Sequence, residues 1–400
     1  MNIFSKIQKV EKLSVGLKNL YLNKIIRDVA GSLIGMFGVI FFYVLSNSFA
    51  FAIIFWLLSN ILYFVLAPWM SKFLKYKSLH IFMLIATVLI VGYYLSLYFL
   101  SESGALNWFW IVVALVFLVF NRAFYWIPYH IDLARFINTH HRGRQVSFLG
   151  IAVSFLGIVL PIISALIIAR FGFSVLFILA MGILFISIFP LFFVSHTREE
   201  YTFGYLETFK KLFSKNHIKT NLAYVADGFQ DYLGALIWPI FIFILLDGKY
   251  LEVGLISSAI VLISCVVRYI IGEATDKFDK RKLMRAGSWL YGIGWLFKAI
   301  IESGLHIFLV GIYHNFTGIL MRTPFDVLMY EIAADEGHYV DEFTVMREMA
   351  LTFGRIVMMV MALILLWQSI NIVWIFVLGA IVSVFINLIS KEEFYFQASK

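Results

Sequence analysis

Charged and polar side chains placed inside long apolar runs are the residues of this chain most able to do chemistry. The run over 220–246 carries Asp227 and Asp231, four positions apart and so on one helical face, with Gln230 beside the second. A carboxylate in a low-dielectric setting, close to a cation, can take up and release a proton or contact a polar solute. The same spacing also suits a structural ion pair. Arg355 follows Gly354 well inside the run over 346–367, where a guanidinium needs a carboxylate or an anionic ligand. Asp231 is its favoured partner, as a buried pair or as a clamp on a solute. His314-Asn315 sits near the middle of 304–330, where a histidine titrates close to neutrality or serves as packing. Arg322 and Asp326 follow at i and i+4 and read first as an intrahelical pair. Arg122 in 105–130 is deep enough to face a cavity, although Tyr125, Trp126 and Tyr129 beside it suggest an interfacial aromatic belt. Arg27-Asp28 stands at the start of 25–46 as a gate pair or as simple surface charge.

The elements that must hold these residues are membrane-spanning helices. The chain is 62% hydrophobic and 14% charged, with a mean hydropathy of +0.90, too apolar for a soluble protein of 400 residues. Many runs exceed the roughly 18 residues that mark a spanning helix. The expected class is an all-α polytopic membrane protein with spans at 25–46, 49–70, 79–101, 105–130, 146–169, 173–195, 220–246, 251–272, 284–302, 304–330, 346–367 and 370–390. The net charge of +8 does not imply nucleic acid, because no soluble segment is long enough for a binding domain. The single Cys265 excludes an internal disulfide, and without CxxC or HExxH spacing no metal or other cofactor is expected. Outside the spans, Lys and Arg gather at the N-terminus, the C-terminus and the connections after even-numbered spans, leaving Arg170 and Lys249 on the other side. Positive charge stays on the cytoplasmic face during insertion, so both termini are expected in the cytoplasm.

Five segments follow. Residues 1–24, with Lys6, Lys9, Lys12 and Lys18, are predicted to lie as a basic amphipathic helix on the cytoplasmic membrane surface. Two six-helix bundles are expected over 25–195 and 220–390, joined by a basic, aromatic interfacial linker over 196–219, with a cytoplasmic tail over 391–400. Gly31, Gly35 and Gly38 form a small-residue stripe suited to close helix contact, and Lys298 and Glu302 read as an i, i+4 pair. The two bundles share a pattern. Lys72, Phe73, Lys75 and Lys77 after the second span recur as Lys277, Phe278, Lys280 and Lys282 after the eighth, and Arg122 and Arg322 fall near matching depths. Repeated halves suit alternating access around a central site.

The stretch Gly272-Glu-Ala-Thr-Asp276-Lys277-Phe-Asp-Lys280-Arg281-Lys282 resembles the loop signature of the major facilitator superfamily of secondary transporters. Asp279 stands where that signature has its second Gly. In the copy over 67–77, Ala67 and Ser71 replace the signature Gly and Asp. The resemblance implies twelve transmembrane helices in two pseudo-symmetric halves. It implies that Gly272, Asp276, Lys277, Lys280 and Arg281 form a cytoplasmic gate, with Asp276 set against the start of the eleventh span, where Arg347 is a partner. Arg27, Asp28, Arg322 and Asp326 are further gate candidates. The expected function is secondary active transport of a small organic solute by alternating access, coupled to protons or another ion, leaning towards export. The expected molecule is a monomer in the bilayer of a bacterial cytoplasmic membrane. A passive facilitator, an uptake symporter for a nutrient or organic anion, and a non-transporting sensor or scaffold are the alternatives. A membrane-embedded acyl- or glycosyltransferase is not expected, because the chain has neither a clustered catalytic His/Asp set nor an extramembrane catalytic loop.

Overall fold

The computed structural model describes residues 15–136, 142–198, 200–215, 217–275, 279–335 and 339–389. Among them, eight helices are long and apolar enough to cross a membrane, so the chain is an integral, multi-pass membrane protein. With no water to satisfy backbone groups in the bilayer core, each segment must close its hydrogen bonds within itself, which is why the helices run nearly end to end.

In chain order the helices are α1 (Val15–Ser46), α2 (Phe49–Ser71), α3 (Leu79–Ser103), α4 (Trp108–Phe136), α5 (Arg142–Leu191), α6 (Tyr205–Leu212), α7 (Ile218–Tyr232), α8 (Trp238–Leu245), α9 (Tyr250–Thr275), α10 (Lys280–Ala299), α11 (Gly304–Asp335), α12 (Val340–Trp367) and α13 (Trp374–Ser383). Single 3-10 turns extend α2 and α13. The expected fifth and sixth spans share α5, which breaks at Gly172 (φ 78°, ψ 179°), a conformation open to glycine. A π-turn over Leu233–Ile237 joins α7 to α8 directly ahead of Pro239. Proline lacks an N–H for the helical ladder, and a locally widened turn accommodates its ring.

Four expectations need correction. Of the expected surface helix over 1–24, residues 1–14 lie outside the described residues and residues 15–24 do not form a separate helix. They open α1, and Leu17, Leu20, Tyr21 and Asn23 are buried against a cluster that includes Met83, Tyr125, Tyr129 and Leu191. Their apolar face repeats at helical spacing and finds partners on α3, α4 and α5, which removes apolar area from water. The glycine stripe of α1 is not a contact seam either. A Cβ on Gly31 or Gly35 would meet nothing within 4 Å, and Gly35 instead breaks the helix at φ 33°. Tyr125 and Tyr129 form no interfacial belt, since both are buried and stack with each other at 5.7 Å. Lys298 is not paired with Glu302, because α10 ends at Ala299 and its ammonium turns inward against two indole rings.

The linker segment packs on protein. Tyr201, Phe203 and Leu212 are buried, the Phe209 ring meets Phe64 edge-on, and the Tyr205 hydroxyl donates to the Val65 carbonyl at 3.1 Å. At the start of α10, Asp279 accepts from the Arg281 and Lys282 backbone N–H groups at 2.9 and 3.0 Å. The residue that departs from the loop signature is therefore the helix N-cap. Donation from the Lys282 and Arg281 N–H groups holds the Asp279 carboxyl below its ordinary range. A lowered folded value contributes stability above the unfolded value of about 3.9 and loses it as pH falls through the folded value. The unfolding midpoint of Asp279→Ala should therefore lie below wild type at neutral pH, with the gap closing as pH drops below about 4. A gap unchanged by pH would show that the carboxylate charge plays no part in the cap.

Candidate functional site

The site begins with two glycines. A Cβ on Gly228 would lie 1.9 Å from the Leu351 carbonyl oxygen, and one on Gly354 would lie 1.9 Å from that of Val225. These reciprocal contacts mean that the backbones of α7 and α12 touch, which only residues without a side chain permit. Both glycines adjoin charged residues, Asp227 next to Gly228 and Arg355 next to Gly354, so the crossing sets the separation of the charges.

At that crossing, Arg355 donates to one oxygen of Asp231 from Nη2 at 2.8 Å and from Nε at 3.2 Å. The Tyr232 ring lies 5.0 Å from the guanidinium and meets Trp56 of α2 edge-on at 6.2 Å. One turn earlier, Asp227 pairs with Arg322 of α11 at 2.9 Å. Arg322 thus reaches across to α7 rather than along its own helix to Asp326, although Asp326 remains within electrostatic range of it. Gln230 fixes the third side of α7 by donating to the Gly379 carbonyl of α13 at 2.6 Å. The Asp231 side chain remains 39% exposed even with Arg355 bound to it. Asp227, by contrast, is buried.

His314 is buried between Tyr291 and Trp295, with ring centroids at 4.1 and 4.4 Å, and its Nδ1 has no hydrogen-bond partner among the described residues. Asn315 is half-buried beside it and belongs to neither ion pair. Arg122 is buried, donates to Asn60 of α2 at 3.0 Å and lies 4.4 Å over the Tyr63 ring. Arg27 is buried as well. It bonds Asn121 and stacks on Tyr125 at 3.8 Å, whereas Asp28 pairs with Lys24 at 2.5 Å. Arg27 and Asp28 therefore turn to different partners, as adjacent helical residues must.

Asp276 and Lys277 of the loop motif lie outside the described residues. Gly272 falls in the last turn of α9, and Lys280 pairs with Glu331 of α11 at 3.2 Å. Arg281 contributes its backbone N–H to the Asp279 cap. Arg347 is bonded to Glu348 at 3.0 Å.

Sequence reasoning missed Glu348. Its carboxylate accepts from the Tyr63 hydroxyl of α2 at 3.4 Å and lies 3.8 Å from Nε2 of His130 on α4, joining the start of α12 to two helices from the first part of the chain. Glu342, one and a half turns earlier, accepts from the Thr202 backbone N–H at 2.9 Å. A carboxylate inside an expected span was signal enough to find Glu348; Glu342 lay just outside one. At the opposite end of the bundle the contacts between the early and late helices are aromatic. Tyr43 meets Phe243 at 6.3 Å, and Tyr250 meets Phe37 at 6.3 Å and Phe173 at 5.7 Å.

No family model matches the sequence. A curated relative, the uncharacterized protein YqgE of Bacillus subtilis (strain 168), is 23% identical over 286 residues, covering 68% of this chain and 64% of that protein. The chain thus spans less than two thirds of that relative's length. The structure resembles a crystal structure of the peptide transporter POT in complex with sulfate, with a TM-score of 0.68 and 9% identity over 94% of this chain and 93% of the other. It also resembles a crystal structure of the human organic anion transporter MFSD10 (TETRAN), with a TM-score of 0.67 and 12% identity over 95% of this chain and 100% of the other. The chain shares its fold with these two transporter structures.

Proposed function

We propose that this chain is a secondary active transporter of a small organic solute, built as twelve spanning helices in two six-helix halves with both termini cytoplasmic. Solute moves by alternating access, coupled to protons and directed outward. The observation that carries the reading is the Asp231–Arg355 pair, held at the touching crossing of α7 and α12, with the carboxylate still open to water. An ionic pair in a membrane bundle is expensive to keep and is retained where it faces a pathway or partner. The likeness to two transporter structures supports the same reading.

The contacts at both ends fit an occluded arrangement. On this reading the Glu348–Tyr63–His130 cluster closes the cytoplasmic side and the Tyr43, Phe243 and Tyr250 rings close the other. Opening either end then requires one set to part while the other holds, which is the requirement of alternating access.

A passive facilitator is the second reading, favoured by the arginine that faces each α7 carboxylate, because a fully compensated pair has little need of a proton. Reconstituted vesicles separate the two. A thermal-shift screen of metabolites and drugs supplies a ligand, and ligand-dependent proton movement is then recorded with a pH dye. Asp231→Asn should abolish proton movement in a coupled transporter. Unchanged flux in that variant removes Asp231 from the mechanism, and ligand movement without protons in wild type selects the facilitator.

A further inference from the structure

Lys298 is 4% exposed, and among the described residues no carboxylate lies within ion-pairing distance of it. Its ammonium sits 4.1 Å from the ring centre of Trp295 and 4.2 Å from that of Trp238, with Phe376 stacked behind Trp295 at 5.8 Å. Ring faces attract a cation, but they return less than the hydration that a buried ammonium gives up. The surrounding groups are also incomplete. Among the described residues, the fully buried Trp295 finds no acceptor for its Nε1–H, and Nδ1 of His314 in the same cluster is likewise without a partner. Buried polar groups are satisfied as a rule, so two unsatisfied ones beside an ammonium without a carboxylate need a common explanation.

We propose that Lys298, Trp295 and His314 form an anion subsite within the α7–α8, α10, α11 and α13 packing, and that it takes the carboxylate of a small organic monoanion. Lys298 supplies the charge, Trp295 Nε1–H donates to one carboxylate oxygen, and His314, its ring centre 4.4 Å from that of Trp295, meets the other. The Trp238 and Phe376 rings receive the apolar part of the molecule. Full burial favours a small soluble carboxylate over a lipid headgroup, whose two acyl chains cannot follow it inside. That the anion is the cargo rests on the transport reading above; binding itself does not.

The test is thermal unfolding of the full chain in detergent, titrated with sodium benzoate or sodium acetate at constant ionic strength. Benzylammonium chloride serves as the cation of matching shape. Wild type should show a saturable rise in midpoint with a carboxylate and none with benzylammonium. Lys298→Met should lose the rise while unfolding at or above the ligand-free wild-type midpoint, because Met fills the space without an unpaired charge. Lys298→Arg should keep the rise. Trp295→Phe should weaken the apparent affinity by at least about tenfold, the loss of one hydrogen bond to a charged acceptor. No rise with either carboxylate, an equal rise in Lys298→Met, or a rise with benzylammonium overturns the proposal. So does a ligand-free Lys298→Met that unfolds well below wild type, since Lys298 would then already be satisfied. A carboxylate that binds as described but does not cross vesicles overturns the transport reading and leaves the site standing.

Discussion

Arg355→Leu is expected to destabilise the chain by about 3 kcal/mol, and adding Asp231→Asn to it should recover most of that loss. Removing one member of a buried ion pair leaves the other charge without a partner, and such losses run to about 3–5 kcal/mol. The lower end applies because 39% of the Asp231 side chain is accessible, so solvent screens the orphaned carboxylate. Neutralising both members removes the penalty, which separates pairing from simple side-chain loss. A double-mutant cycle by chemical unfolding in detergent measures this coupling. Losses that simply add would show that the contact contributes nothing. The Arg355 hydrogen bonds to Asp231 at 2.8 and 3.2 Å make additivity the unexpected result. Under the proposed function, the single and double variants should both fail in transport, because restoring charge balance does not restore the charged groups themselves.

The second large effect is steric. Gly354→Ala and Gly228→Ala each place a methyl group 1.9 Å from a backbone carbonyl oxygen, a distance that no side-chain rotation relieves. The helices α7 and α12 must separate or one must bend. Overpacking in a tight core typically costs about 1–3 kcal/mol, and a clash with rigid backbone belongs at or above the top of that range. Separation would also draw Arg355 away from Asp231, so stability and activity should fall together. Gly31→Ala is the matched control in the same protein. Its added methyl meets nothing within 4 Å, so it should be neutral or stabilise by up to about 1 kcal/mol through helix propensity. If Gly354→Ala unfolds with Gly31→Ala and wild type, the α7–α12 contact is looser than described.

Glycine spacing alone could not have produced that contrast. The Gly31, Gly35 and Gly38 stripe is the more regular pattern, yet among the described residues a Cβ added to any of the three would meet no other helix within 4 Å, whereas the contact uses Gly228 and Gly354, isolated and 126 positions apart. Small residues permit close approach without requiring it, and only the arrangement of neighbours shows where permission is used. The same limit applies to charge. Arg322 and Asp326 satisfy the i, i+4 rule, but Asp227 on another helix is the partner at 2.9 Å. Helical spacing ranks local partners and is silent about those brought in by the fold. Lys298 shows a further case, where a local pair with Glu302 was expected and two indole rings were found.

Composition and run length alone establish the class of molecule and the inventory of its scarce charges. Apolar runs of spanning length leave a chain no other way to satisfy its backbone, so the helical membrane bundle follows from composition and run length. The cost of charge in lipid likewise marked Asp227, Asp231, Arg322 and Arg355 before any contact was known. The tertiary structure decided the pairing among those charges, the burial of residues 15–24 in α1, and the bridge from Glu348 to Tyr63 and His130. Tyr63 and Glu348 are 285 positions apart, and which helix faces which is set by packing of whole surfaces. The loop at 272–282 pointed to the fold to look for, but only the tertiary structure brought two bare glycines together to let α7 and α12 meet.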